Sequence, residues 1–137
     1  MSHKPRVLLG FDFGTRRIGV AVGQELTATA TALETLPSRD GGPDWAGISR
    51  LIEQWQPDAL VLGLPLNLDG SEHEITRLAR RFGNRLHGRY NLPVYTIDER
   101  LSSAEAEQLL AGKSHDKGDV DKLAAQLILE SWLSSQP

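Results

Sequence analysis

Ala59-Leu-Val-Leu-Gly-Leu64 is an unbroken apolar run, with Pro57-Asp58 before it and Pro65 after it. A strand covered on one face alternates apolar and polar residues, so a strand with no alternation has to be covered on both. That is the position of a central strand in a parallel or mixed sheet with helices above and below. The chain has 137 residues. That length suits one domain with a real core and is too short for two lobes.

The remaining segments are read around this strand. Residues 6–13 and 16–23 form two strands joined by a hairpin turn at Gly14-Thr15-Arg16-Arg17. Residues 26–36 alternate Thr and Ala and stop at Pro37, as an edge strand does, and residues 38–43 read as a loop. Trp45, Ile48, Leu51, Ile52 and Trp55 fall at helical spacing over 44–55. After a loop at 65–70, a helix is expected over 71–88. Its inner face is Ile75, Leu78, Ala79, Phe82 and Leu86, and its flank is Arg77, Arg81 and Arg85. A strand at 93–98 follows. Ser102-Ser-Ala-Glu105 then forms a capping box that opens a helix ending at Gly112. Residues 113–118 are polar, and a last helix covers 119–133. The order predicts a single α/β domain over 1–137. Its mixed five-stranded sheet combines a three-strand antiparallel meander with two parallel strands and carries helices on both faces. This layout resembles the ribonuclease H-like fold.

Three carboxylates sit in apolar surroundings. Asp12 ends the run Arg6-Val-Leu-Leu-Gly-Phe-Asp and shares a strand face with Leu8 and Gly10. Desolvating a carboxylate there is costly unless positive charge meets it; the alternative is an Asp that caps the turn two residues later. Glu99 lies where strand 93–98 ends, and carboxyl ends of parallel strands collect functional groups; a salt bridge to Arg100 is the alternative. Asp121 shares a helix face with Ala124, Ala125, Ile128 and Trp132. It could instead serve the helix dipole, a role open to Asp119 as well. Three acids against one core invite a hard cation. No Cys is present and the four His are scattered, so oxygen ligands and Mg²⁺ or Mn²⁺ are expected. Arg100, Lys113 and Lys117 are the nearest candidates for neutralising phosphate, while the arginine flank of helix 71–88 reads as a solvated face or a strip that follows phosphates. Ala111-Gly-Lys-Ser114 echoes the end of a phosphate-binding loop, but Glu107 stands where its first glycine should be.

Net charge is 15 − 18 = −3, which does not by itself suggest a nucleic-acid binder. Acids in a metal site count against that sum without repelling substrate once a cation is bound. The N-terminal apolar run is too short for a secretion signal, and no stretch is long enough to span a bilayer. A cytoplasmic protein without a membrane partner is expected.

Four motifs resemble, in order and spacing, those of the YqgF family: Phe11-Asp-Phe-Gly-Thr-Arg-Arg-Ile-Gly-Val-Ala-Val-Gly23, Leu62-Gly-Leu-Pro-Leu-Asn-Leu-Asp-Gly70, Asp98-Glu-Arg-Leu-Ser-Ser103 and Lys117-Gly-Asp-Val-Asp-Lys-Leu-Ala-Ala-Gln-Leu-Ile-Leu129. These are bacterial ribonuclease H-like proteins described as pre-16S ribosomal RNA nucleases and as Holliday junction resolvases. The resemblance covers nearly the whole chain and implies that the family's three acids are Asp12, Glu99 and Asp121. Leu68 and Ser103 depart from the commoner Met and Thr.

The expected chemistry is metal-dependent phosphodiester hydrolysis with Asp12, Glu99 and Asp121 as catalytic metal ligands around one or two ions. Arg100 and Lys117 would bind substrate phosphates, and Asn67 and Thr15 would orient substrate or water. The resemblance implies a structured RNA substrate in 5′-end processing of pre-16S ribosomal RNA, within a pre-ribosomal particle, or else branched DNA; the protein acts as a monomer or homodimer. Two readings of another class stand beside it. Asp12-Phe-Gly-Thr15 matches the first phosphate hairpin of actin-like ATPases, which need two lobes. A non-catalytic RNA-binding module would keep the fold without needing all three acids.

Overall fold

The structure, a computed structural model, describes residues 4–39, 42–67, 69–99, 106, 108–111 and 116–136. Its sheet contains β1 (Val7–Asp12), β2 (Arg17–Gln24), β3 (Thr29–Arg39), β4 (Gly42–Pro43), β5 (Ala59–Pro65) and β6 (Val94–Glu99). The described helices are α1 (Trp45–Trp55), α2 (Glu74–Tyr90) and α3 (Lys117–Ser134); Ala106 and residues 108–110 are also helical. The spatial order is β4-β3-β2-β1-β5-β6. β1, β2 and β3 form the antiparallel meander, while β1, β5 and β6 run parallel.

The apolar run behaves as its composition demands. Residues 59–62 of β5 are fully buried, with β1 on one side and β6 on the other. The sheet has six strands rather than five. β3 continues through Pro37 to Arg39 and pairs there with the two-residue β4, in the segment read as a loop. Pro37 is tolerated because β3 is an edge strand over most of its length, so a missing N–H is not demanded by a second ladder.

The two sheet faces are covered unequally. Leu9, Phe11, Leu60 and Leu62 pack with Ile48, Leu51, Phe82 and Leu86 of α1 and α2. The opposite face carries Leu8, Ala21, Ala59 and Val61 against Ala125, Ile128, Leu129 and Trp132 of α3. α1 starts at Asp44, which accepts from the Gly47 N–H at 3.0 Å. α2 begins three residues later than the hydrophobic periodicity predicts. The fully buried Thr76 fixes that start, donating its hydroxyl to the Pro65 carbonyl and accepting from the His73 N–H at 3.2 Å. Asn91 ends the helix in the left-handed conformation. The capping box at 102–105 and the helix stop at Gly112 lie outside the described residues. Among the described residues no helix is long and apolar enough to cross a membrane.

Candidate active site

Asp12 is the last residue of β1, and its neighbours on both sides are glycines: Gly19 on β2 and Gly63 on β5. Strand alternation turns Leu8, Gly10 and Asp12 toward α3, as expected. Gly19 has to be glycine. A methyl there would stand 1.9 Å from the Asp121 carbonyl oxygen, so the first turns of α3 rest directly on the β2 backbone. Gly63 plays the same part on the other side, where a methyl would stand 2.6 Å from Ile128 and 3.3 Å from the Glu99 Cβ. The two glycines lower helix and carboxylates onto the sheet around Asp12.

Glu99 closes β6 in register with Pro65, and its carbonyl accepts from the Leu66 N–H at 3.0 Å. It is buried at 9% exposure, although it is the last residue of its strand. β1, β5 and β6 are parallel, so Asp12 and Glu99 stand at the same sheet end. α3 supplies the third acid. Asp116 caps that helix by accepting from the Asp119 N–H at 2.9 Å, and Asp119 accepts from the Asp116 N–H at 3.1 Å. The helix therefore begins two residues earlier than expected. Asp116 and Asp119 do the capping work between them, and Asp121 is not needed for it.

Electrostatics tie the three acids together. Desolvation first, then the charges of Glu99 and Asp121, push the Asp12 carboxyl from 3.8 up to about 8. Among the described residues no hydrogen-bond donor or cation meets the Asp12 carboxylate. Asp121 has a partner that sequence reasoning missed. Arg17 Nε donates to its Oδ2 at 2.6 Å. The signal was parity, because Arg17 opens β2 and shares the α3-facing side with Gly19.

The donor set fits a hard divalent cation. It is all oxygen, carries surplus negative charge, and centres on a carboxylate that nothing described neutralises. It is not closed around one point. Among the described residues no three acidic or histidine side chains are gathered closely enough to hold an ion, and Asp121 is engaged by Arg17. Asp12, Glu99 and Asp121 are the residues that would hold the ion, with Arg17 competing for Asp121.

The other anticipated residues are placed differently. Asn67 Nδ2 donates to Ser71 Oγ at 2.9 Å, so its amide organises its own loop. Lys117 is exposed in the first turn of α3. Thr15 is exposed in the β1–β2 turn and lines a cleft facing α2. Arg100 lies outside the described residues.

Residues 6–135 match the family model RuvX, described as "Holliday junction resolvase". A Nitrosococcus oceani protein named "Putative pre-16S rRNA nuclease" is 57% identical over 136 residues, covering 97% of this chain and 90% of that one. A Pseudomonas aeruginosa protein of the same name is 53% identical, covering 99% and 98%. Among solved structures, Thermus thermophilus RuvC in complex with a Holliday junction substrate aligns with a TM-score of 0.53 at 15% identity, covering 94% of each chain. The Fowlpox virus resolvase complexed with Holliday junction DNA gives 0.54 at 14%, covering 94% and 97%. At those identities the structural likeness speaks for the fold, which is ribonuclease H-like. On the family match and on relatives this similar along almost their whole length, the chain belongs to the RuvX (YqgF) family.

Proposed function

We propose that this protein is a metal-dependent nuclease that hydrolyses phosphodiester bonds in structured RNA, at the 5′ end of pre-16S ribosomal RNA. The observation that carries the reading is the convergence of Asp12, Glu99 and Asp121 from β1, β6 and α3 onto one sheet end, around a carboxyl that no described cation neutralises. The curated relatives supply the substrate class through their name.

A divalent cation, Mg²⁺ or Mn²⁺, would supply the positive charge that favours both attack by water and departure of the leaving oxygen. The chain's own residues do the rest. Asp12, on the rigid central region of the sheet, fixes the position of the site. Glu99 is held in place by its burial and by the Leu66 N–H at its carbonyl. Asp121 is mounted on a helix pinned against Gly19. Arg17, once released from Asp121, would meet a substrate phosphate, Lys117 would add positive charge from the first turn of α3, and Arg100, next in sequence to Glu99, would be a further phosphate partner. Thr15 and Asn67 shape the approaches.

A second reading, hydrolysis of branched DNA, rests on the description of the family model and uses the same chemistry. A dimer would serve symmetric cutting of two strands. The two are separated by offering a precursor 16S 5′-end RNA and a four-way DNA junction with Mg²⁺ or Mn²⁺. Cutting of RNA alone, lost in Asp12→Asn, supports the first, and cutting of the junction alone supports the second. Activity that survives in Asp12→Asn sinks the site assignment.

A further inference from the structure

On the sheet face away from the acids, the β1–β2 turn, the end of β3 and α2 enclose a cleft of about 470 Å³. Thr15, Ser38, Arg39, Arg81 and Arg85 give it its polar character, and among the described residues no carboxylate lines it. We propose that this cleft is a second nucleic-acid site, taking the sugar–phosphate backbone of the substrate at a distance from the cleaved bond. The proposal rests on the nuclease reading for the identity of its ligand.

The pairing of the arginines is the first argument. Arg6, Arg17, Arg50 and Arg80 are spoken for by Glu25, Asp121, Glu34 and Glu72. Among the described residues Arg39, Arg81 and Arg85 make no ion pair. In a protein of net charge −3, three arginines grouped around one hollow whose described lining holds no carboxylate are set apart from the general surface. Arg85 is positioned in another way. Its guanidinium lies 5.0 Å from the centroid of the Trp45 ring. Stacking orients the planar group while leaving its N–H donors available for phosphate oxygens.

Continuity is the second argument. Ser38 and Arg39 also line a neighbouring cleft of about 560 Å³ with Arg16, Arg17 and Asp116, the last of which already accepts from the Asp119 N–H at the start of α3. Arg17 is the residue that grips Asp121. A basic path therefore runs from α2, over the end of β3, to the ion pair at the acids. Phe13 and Thr15, one and three residues after Asp12, line its α2 end. A strand laid along this path would present one phosphate to the acids and others to the arginines, as a backbone-tracking surface requires.

The test is binding without cleavage. Fluorescence anisotropy of a labelled RNA stem–loop, and of a DNA duplex of the same sequence, is measured across a salt series with the full chain in EDTA. In Arg39→Ala/Arg81→Ala, affinity should fall about tenfold, and the slope of log K against log salt should shrink by about 0.7–0.9 per lost contact. Arg81→Ala alone, at an exposed helical position, should give part of that loss with an unchanged melting curve, and Arg50→Ala, outside the cleft, should give none. Loss on both probes assigns the cleft to backbone phosphate in general; loss on RNA alone makes it an RNA site. Unchanged affinity and slope in the double variant, or wild type that binds neither probe, overturns the proposal. Failure of the nuclease reading looks different: the cleft variants would weaken binding while wild type with Mn²⁺ cuts nothing.

Discussion

Asp12 is held in a setting that works against its own charge, and this has a sign that can be measured. Unfolded, the carboxyl releases its proton near its ordinary 3.8; folded and metal-free, it keeps the proton to about 8. Between those values the folded state binds more protons than the unfolded state, so stability falls as pH rises through the window. The slope approaches about 1.4 kcal/mol per pH unit if a whole proton separates the states. Urea melts in EDTA from pH 4 to 8 should show that decline, and Asp12→Asn should flatten it while matching or exceeding wild-type stability at pH 8. The same substitution should abolish cleavage. A large loss of stability in Asp12→Asn would mean that Asp12 has a structural task instead. Arg17 gives the complementary expectation. Its guanidinium competes with a cation for Asp121, so Arg17→Ala should tighten Mn²⁺ binding several-fold in calorimetric titration without substrate, while raising KM for the nucleic acid. Weaker Mn²⁺ binding in that variant would mean that Arg17 holds Asp121 in its working position.

At the scale of elements, α3 matters because it carries one acid and covers one whole face. Its closeness depends on Gly19. Gly19→Ala forces the helix away from β2 and should cost roughly 2 kcal/mol or more, as overpacking does. It should also weaken Mn²⁺ binding, since Asp121 moves with the helix. Gly88 is the control: exposed on α2, with nothing within 4 Å of an added methyl, so Gly88→Ala should stabilise by about 0.5–1 kcal/mol. Thermal melts of the two variants decide both points. The elements also show what a sequence can and cannot reveal. β5, the meander and α3 were legible because burial on two faces, strand alternation and helical spacing each leave a pattern. Asp12 and Asp121 were legible because an acid breaks such a pattern. β4 was not, since two residues are too few for any period, and the run of β3 past Pro37 depends on an edge that no local signal announces. Arg17 was hidden for a related reason. Its partner is 104 residues away, and only the pairing of β2 with β1 under α3 brings the two together.

For the molecule as a whole, the sheet separates charge. Acids gather at one end on the α3 face, and arginines without an ion pair among the described residues gather on the α2 face. Without a cation, the acids repel one another in a partly desolvated place, so the native state carries a cost that the unfolded chain does not. A cation that binds only the folded arrangement removes this cost and adds its own binding free energy, worth about 2.7 kcal/mol at one hundred times Kd. Mg²⁺ or Mn²⁺ should therefore raise the melting temperature of wild type well beyond the effect of NaCl at equal ionic strength. General screening acts on all surface charges, whereas a bound ion acts on these three. In Asp12→Asn the carboxyl that gives up its proton to a bound cation is gone and one ligand is lost, so the divalent shift should collapse to the NaCl level. An equal shift in both proteins would place divalent binding somewhere other than the acids and would remove the physical basis for the catalytic assignment. A shift confined to wild type would join folding, metal binding and the choice of Asp12 at the end of the central strand in one measurement.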